Sequence, residues 1–199
     1  MKIYFHLSLE GFTNSYVVTN PFTKEALIID PGIITKEIIN QIESERYTLK
    51  AILITHNHPG HVRGVATLKR IYNPVVYAAD YDVDGNDTYV LNGDGTVKIA
   101  GFNVNYMALP GHTSDSLAYK IGRVIFTGDA ITSGMIGTTS SNYADRILKT
   151  NIETKILSQH DDIILMPGHG PPSCVGAEKK FNLGVGEPEK SVRHLIHNL

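Results

Sequence analysis

The chain has 199 residues, of which 42% are hydrophobic and 19% charged, and its mean hydropathy is -0.09. These values are typical of a globular protein that is long enough to bury a sizeable core. The formal net charge of -2 shows no excess of basic residues, so neither nucleic acid nor an anionic membrane surface is expected as a partner. No segment approaches the roughly 20 apolar residues of a membrane-spanning helix, and the opening residues lack the pattern of a signal peptide.

The single cysteine, Cys174, cannot form an internal disulfide. Such a chain suits a reducing compartment, so we expect a cytoplasmic location and an inert, packed role for this thiol. No repeat or Pro/Gly/Ser-rich linker divides the sequence, which predicts one domain over residues 1–199. The apolar spacing of the tail predicts a short amphipathic helix over residues 187–199.

Short apolar runs bounded by Gly, Pro and Asn dominate the first third of the chain. They predict strands over residues 2–9, 15–19, 26–29 and 51–55. Apolar residues at helical spacing predict helices over residues 35–46, with Thr35 as the cap, and over residues 61–71.

Strands and helices continue to alternate in blocks through the rest of the sequence. A helix is predicted over residues 143–158, and strands over residues 75–77, 97–99, 102–109, 116–120, 124–127 and 163–166. Strands outnumber helices. This pattern predicts an α/β fold in which two packed sheets carry helices on their outer faces, a four-layer αββα sandwich.

Histidine and aspartate side chains follow the predicted strands at the points where the strands end. The segment THNHPGH places His56, His58 and His61 after the strand over residues 51–55. Three later strands end in the segments LPGHT, FTGDA and MPGHG, which contain His112, Asp129 and His169. Because strands hold the bases of such loops rigid, we expect these side chains to gather at one edge of the sheets.

These six side chains are of the types that bind a metal ion. Side chains at positions i and i+2 of an extended chain point the same way, so His56 and His58 are placed to bind one ion, while His61 faces a neighbouring position. Five imidazoles and one carboxylate suit Zn²⁺, with Fe or Mn as alternatives. The remaining histidines stand alone and are predicted to be ordinary residues: His6, His160, His194 and His197.

In this order and spacing, THNHPGH, PGHT, TGDA and PGHGPP resemble the metallo-β-lactamase fold superfamily, and within it the short glyoxalase II-like hydrolases. The resemblance covers nearly the whole chain. It implies that one metal ion is bound by His56, His58 and His112, and a second by His61 and His169. It also implies that Asp129 bridges the two ions and orients the attacking hydroxide.

The sequence departs from the family pattern at three places. The family usually reads HxHxDH, and Gly60 stands where its aspartate ligates the second metal. The second site keeps three protein ligands, so we expect it to bind its metal more weakly or to hold a different metal. Thr138 stands where many relatives carry an arginine near the substrate. Only 30 residues follow His169, so we expect no helical glutathione-binding domain like that of glyoxalase II.

The acidic segment DYDVDGND, residues 80–87, has the spacing of the first half of a calcium-binding EF-hand loop. The twelfth position of that loop requires a bidentate glutamate, and Leu91 stands there instead. We therefore interpret the segment as a solvated connector.

These features favour a metal-dependent hydrolase that cleaves a small-molecule thioester or related ester with one or two Zn²⁺ ions. A thiol with a pKa of about 8.5 leaves as thiolate without a general acid, unlike the nitrogen of an amide. Two alternatives remain. A mononuclear-iron sulfur dioxygenase of the same superfamily would use His56, His112 and Asp129, and the loss of a ligand at Gly60 suggests a metal-binding protein with little catalysis.

Overall fold

The structure, a computed structural model, describes residues 1–185, so the predicted tail helix over residues 187–199 lies outside the described residues. The first sheet consists of β1 (Lys2–Leu7), β2 (Asn14–Asn20), β3 (Glu25–Ile29), β4 (Thr48–Leu53), β5 (Val75–Ala78) and β6 (Thr88–Val90), side by side in that order. β1 to β3 pair antiparallel, and β3 to β6 pair parallel.

The second sheet also has six strands. They are β7 (Gly95–Ile99), β8 (Phe102–Ala108), β9 (Leu117–Ile121), β10 (Val124–Gly128), β13 (Ile164–Pro167) and β14 (Ser173–Cys174). A small hairpin of β11 (Ile131–Thr132) and β12 (Met135–Ile136) lies between β10 and β13 in the chain. The spatial order of the sheet is β14-β13-β10-β9-β8-β7, and β10 and β13 are its parallel pair.

Helices cover the outer faces of both sheets. They are α1 (Lys36–Ser44), α2 (Pro59–Val62), α3 (Val65–Tyr72), α4 (Asn142–Asn151) and α5 (Val175–Phe181), and a π-helical turn over Ile152–Leu157 extends α4. Thr35 caps α1 as predicted, since its side chain accepts a hydrogen bond from the amide of Ile38.

Three hydrophobic clusters separate four layers. Tyr16 and Phe126 belong to the cluster between the two sheets. Ile38 and Leu68 pack α1 and α3 against the first sheet, while Leu148 packs α4 against the second. The predicted four-layer αββα sandwich is therefore confirmed. Among the described residues, no helix is long and apolar enough to cross a membrane.

The single helix predicted over residues 61–71 is wrong in one respect, because the chain breaks it into α2 and α3 at Gly64. The amide of Gly64 donates to the carbonyl oxygen of Pro31 at 2.7 Å, and a Cβ at Gly64 would lie 2.5 Å from that oxygen. Contact with a distant loop therefore sets the break. The sequence also missed β6 and α5, whose three and seven residues are too few to show a clear periodicity.

Candidate metal centre

One end of the sandwich gathers all six side chains that the sequence singled out. His56 and His58 follow β4 and His61 lies on α2, whereas His112, Asp129 and His169 follow β8, β10 and β13. Their ligand atoms form two groups, each within 4.8 Å. The first group, here called site one, is His56, His58, His112 and Asp129, and the second, site two, is His61, Asp129 and His169. Both groups have the predicted membership and share one carboxylate.

Asp129 lies at the centre of the cluster. Its Oδ2 is 3.3 Å from Nε2 of His169, 3.5 Å from Nε2 of His61, and 3.7 Å from Nε2 of both His56 and His112. Its Oδ1 is buried and has no hydrogen-bond partner among residues 1–185. A buried carboxylate oxygen without a partner is costly, and a cation would satisfy it. The residues therefore fit a divalent metal ion in each site.

Hydrogen bonds to backbone carbonyls fix the tautomers of two histidines. Nδ1 of His112 donates to the carbonyl oxygen of Thr138 at 2.8 Å, and Nδ1 of His169 donates to that of Phe12 at 3.0 Å. A carbonyl oxygen only accepts, so Nδ1 must hold the proton in both rings. Nε2 then keeps its lone pair for a metal, as outer-shell contacts of metal-binding histidines commonly arrange.

His58 completes site one through its other ring nitrogen. Nδ1 of His58 lies 2.9 Å from Nε2 of His56 and 3.3 Å from Nε2 of His112. Three ring nitrogens thus converge on one point beside Asp129. This convergence is the arrangement that a tetrahedral metal with nitrogen and oxygen ligands requires.

Asp30, which the sequence analysis missed, contacts a histidine of each site: His61 directly and His56 through Thr55. Its buried carboxylate accepts the amide and the hydroxyl of Thr55, both at 2.7 Å, and lies 3.0 Å from Nδ1 of His61. The Thr55 oxygen is in turn 3.1 Å from Nδ1 of His56. One carboxylate therefore orients a ligand of each site. The sequence contained a signal for Asp30, since this residue directly follows an apolar run that predicts a strand, as His56 does.

The electrostatics of the metal-free protein differ between the two sites. Burial and the neighbouring His61 lower the pKa of His56 to about 3, so this ligand is neutral. Burial alone would also lower the pKa of His61, but the carboxylates of Asp30 and Asp129 outweigh it and raise that pKa. The pKa of Asp129 is held far below its usual range because hydrogen bonds with His169 and His61 outweigh burial. A proton at site two thus supplies the positive charge that a metal ion would bring.

Gly60 sits beside site two in ordinary backbone geometry, since it is absent from the glycines with positive φ. A Cβ built there would lie 2.9 Å from Oγ1 and 3.4 Å from Cγ2 of Thr13. Space occupied by the Thr13 side chain, and not a left-handed backbone, is what favours glycine at this position.

The other singled-out residues lie away from the cluster. Cys174 is half-buried in β14, paired with Ile164 at the edge of the second sheet. His6 bonds to Gln41, and exposed His160 bonds to Asp162. His194 and His197 lie outside the described residues.

The acidic segment over residues 80–87 forms two short 3₁₀ turns and not an EF-hand loop. Lys69 pairs with Asp84 at 2.9 Å. Asp80 accepts a hydrogen bond from the side chain of Asn57 at 2.9 Å, which directs that amide away from the metal ligands on either side of it.

Comparison with known proteins places this cluster in a family. The sequence profile of the metallo-beta-lactamase superfamily matches residues 9–89. The chain is 32% identical over 183 residues to hydroxyacylglutathione hydrolase GloC of Haemophilus influenzae, an alignment that covers 80% of this chain and 86% of that protein.

Solved structures agree with the sequence comparison. The crystal structure of the BLEG-1 B3 metallo-beta-lactamase superposes with a TM-score of 0.79 at 28% identity, over 92% of this chain and 98% of that one. ETHE1 from Myxococcus xanthus has a TM-score of 0.81 at 23% identity, over 92% of this chain and 84% of that one, and shares the fold. The chain belongs to the metallo-β-lactamase superfamily, on its glyoxalase II-like branch.

Proposed function

We propose that this protein is a metal-dependent hydrolase that cleaves a thioester or related ester of a small molecule, with Zn²⁺ as its metal. The observation that carries the proposal is the position of Asp129. One of its oxygens lies between 3.3 and 3.7 Å from ring nitrogens of both sites, and the other is buried without a partner. A bound metal lowers the pKa of water from 15.7 to about 7 and so makes hydroxide available at neutral pH.

Each of the chain's own residues has a role in this proposal. Site one would hold the first ion through His56, His58 and His112, and site two would hold the second through His61 and His169. Asp129 would serve both sites, and its carboxylate would orient the hydroxide that the metal supplies toward the carbonyl carbon of the substrate. Asp30 keeps the rings of His56 and His61 in the tautomer that leaves Nε2 free.

The chemistry of the leaving group favours a thioester over an amide. Hydrolysis adds one water across the carbonyl–sulfur bond and releases a carboxylic acid and a thiol. The thiol has a pKa of about 8.5, so it departs as thiolate without a proton from the enzyme. Hydroxyacylglutathione, for which the Haemophilus influenzae relative is named, is a thioester and supports this class of substrate.

The experiment loads metal-stripped protein with Zn²⁺ and measures hydrolysis of a lactoyl thioester, the matching amide and a β-lactam. We expect the thioester to be cleaved fastest, and Asp129→Ala to abolish cleavage together with most of the bound Zn²⁺. His160→Ala, which changes an exposed histidine away from the cluster, serves as the control. The proposal fails if the Zn²⁺-loaded protein cleaves no thioester or ester, or if Asp129→Ala leaves the rate unchanged.

A mononuclear-iron sulfur dioxygenase is the second candidate, and a subset of the side chains of site one supports it. His56, His112 and Asp129 supply two imidazoles and one carboxylate, the ligand set of non-haem Fe(II) oxygenases, while site two has only three protein ligands. Anaerobic loading with Fe²⁺, followed by oxygen uptake in the presence of a persulfide, tests it. Oxygen uptake without thioester cleavage would replace the first proposal by the second.

A further inference from the structure

The loop that carries His169 takes its shape from contacts with the first strands of the chain. In this segment Pro167, Pro171 and Pro172 have no N–H groups. The amide of Gly168 donates to the carbonyl oxygen of Gly128 at 2.8 Å, which ties the loop to β10. The backbone carbonyls on either side of His169 need donors from another element.

Asn14, at the start of β2, supplies those donors. Its amide nitrogen donates to the carbonyl oxygen of Gly168 at 2.8 Å. Its side-chain Nδ2 donates to the carbonyl oxygens of Pro167 at 2.9 Å and Gly170 at 2.8 Å. Three N–H groups of one fully buried residue therefore hold the carbonyls that flank His169 on both sides.

Neighbouring residues of the same strand segment contact the loop at single points. Thr13 forms an isolated β-bridge with His169, and the carbonyl of Phe12 accepts from Nδ1 of His169. The hydroxyl of Tyr16 donates to the carbonyl oxygen of Pro167 at 2.6 Å. Of the contacts from this strand segment, only those of Asn14 bind the loop before and after the histidine.

We propose that Asn14 is a positioning residue for site two, which holds the loop so that Nε2 of His169 faces Asp129. This inference rests on the proposed metal centre. The amide group suits the role because it offers two N–H donors on one rigid plane. Among the described residues, the Oδ1 atom of Asn14 is buried without a partner. The hydrogen bonds of this side chain are therefore those that Nδ2 makes to the loop.

The test measures Zn²⁺ affinity at each site by competition with a chelator, together with metal content and melting temperature. Asn14→Ala is compared with Asn20→Ala, a matched change at the other end of β2, where Nδ2 of Asn20 donates to the carbonyl oxygen of Ala100 at 3.0 Å. We expect Asn14→Ala to weaken site two by about 10- to 100-fold, the usual effect of losing an outer-shell contact, and to leave site one unchanged. Asn20→Ala should lower the melting temperature and leave both affinities unchanged.

Three results would overturn the inference: unchanged affinity at site two in Asn14→Ala, equal weakening of both sites, or equal weakening by Asn20→Ala. If Asn14→Ala does not fold, Asn14→Leu decides, because it removes both side-chain donor bonds and keeps the side-chain volume and the bond from the backbone amide. An unchanged site two in that variant would also overturn the inference. If the wild-type protein binds a single Zn²⁺, the inference about Asn14 is refuted, whereas the proposed hydrolase function remains possible with one metal ion. Two intact sites without thioester cleavage would refute the proposed function alone.

Discussion

At the scale of single residues, the side chain of Thr13 occupies the space that a side chain at position 60 would need beside site two. A Cβ at position 60 meets Oγ1 of Thr13 at 2.9 Å, so Gly60→Asp overpacks this contact, at a cost of about 1–3 kcal/mol. Thr13→Ala removes the two atoms nearest to the new side chain. We expect Gly60→Asp alone to lower the melting temperature, and the double variant Thr13→Ala/Gly60→Asp to recover it and to bind Zn²⁺ more tightly at site two.

Thr13→Ala alone is the control for the effect of losing the threonine. A Gly60→Asp variant as stable as the wild type would contradict the predicted steric conflict with Thr13. The same holds if the double variant is no more stable than Gly60→Asp and binds Zn²⁺ no more tightly than the wild type. Unchanged Zn²⁺ affinity in the double variant would show that the carboxylate at position 60 does not reach the metal.

The ionisation of individual histidines leads to a second prediction at this scale. In the metal-free protein the pKa of His61 is raised because Asp30 and Asp129 outweigh burial, and the pKa of His169 is raised mainly by its hydrogen bond with Asp129. A group with a raised pKa holds its proton up to a higher pH, and a metal must displace that proton. His56 has a pKa of about 3 and is already neutral.

Affinity at site two should therefore fall more steeply than affinity at site one as the pH drops from about 8 to about 6. Proton release on addition of Zn²⁺ to a weakly buffered solution measures the difference directly. We expect the Zn²⁺ ion that fills site two to release more protons than the Zn²⁺ ion that fills site one. Equal release at both steps would contradict the assignment of the protonated histidines.

At the scale of elements, the parallel strands β10 and β13 bring Asp129 and His169 together, and Gly168 allows their ends to approach. A Cβ at Gly168 would overlap Oδ1 of Asp129 and lie 2.6 Å from Cε1 of His61. We expect Gly168→Ala to push these ligands apart and to reduce Zn²⁺ content at both sites. Gly122→Ala is the control, because φ of Gly122 is +60° but no atom lies within 4 Å of its Cβ position.

Metal content after dialysis and the melting temperature separate the two effects. Gly122→Ala should lose stability through backbone strain alone and keep its metal. If Gly168→Ala keeps two Zn²⁺ ions, the close approach of β10 and β13 does not set the geometry of the centre.

The strands, helices and loops also show which features could be predicted from the sequence and which could not. The strand that became β4 and the position of the histidines that follow it were predictable, because an apolar run and its turn residues are local signals. The break at Gly64 was not predictable, since it depends on contact with the carbonyl of Pro31. The same holds for Asp30 and for the contact between Thr13 and the Gly60 position. Each acts on residues that only the fold brings near.

At the scale of the whole molecule, a cavity of about 450 Å³ lies next to Asn57, whose backbone and side-chain amides bond to two of the cavity's lining residues. Its lining includes the carboxylates of Asp80 and Asp115, and within the described part of the chain it includes no lysine or arginine. Asp115 accepts the backbone amide of Asn57 at 2.7 Å, and Asn57 stands between His56 and His58 in the sequence. The cavity therefore borders the segment that carries two ligands of site one, and its charge is negative.

For the proposed thioester hydrolysis, this charge predicts a preference among substrates. An anionic group in the cavity is repelled by both carboxylates, whereas a neutral or cationic group is not. For one acyl group, we expect kcat/KM to be about tenfold higher for the thioester of neutral N-acetylcysteamine than for that of anionic glutathione, a difference of about 1.4 kcal/mol. Added salt should reduce this difference in kcat/KM because it screens the carboxylates. Asp80→Asn should reduce this difference as well, while Asp145→Asn, a change at a partly exposed residue of α4 away from the cavity lining, should not. A preference for the glutathione thioester that Asp80→Asn leaves unchanged would show that the substrate does not use this cavity.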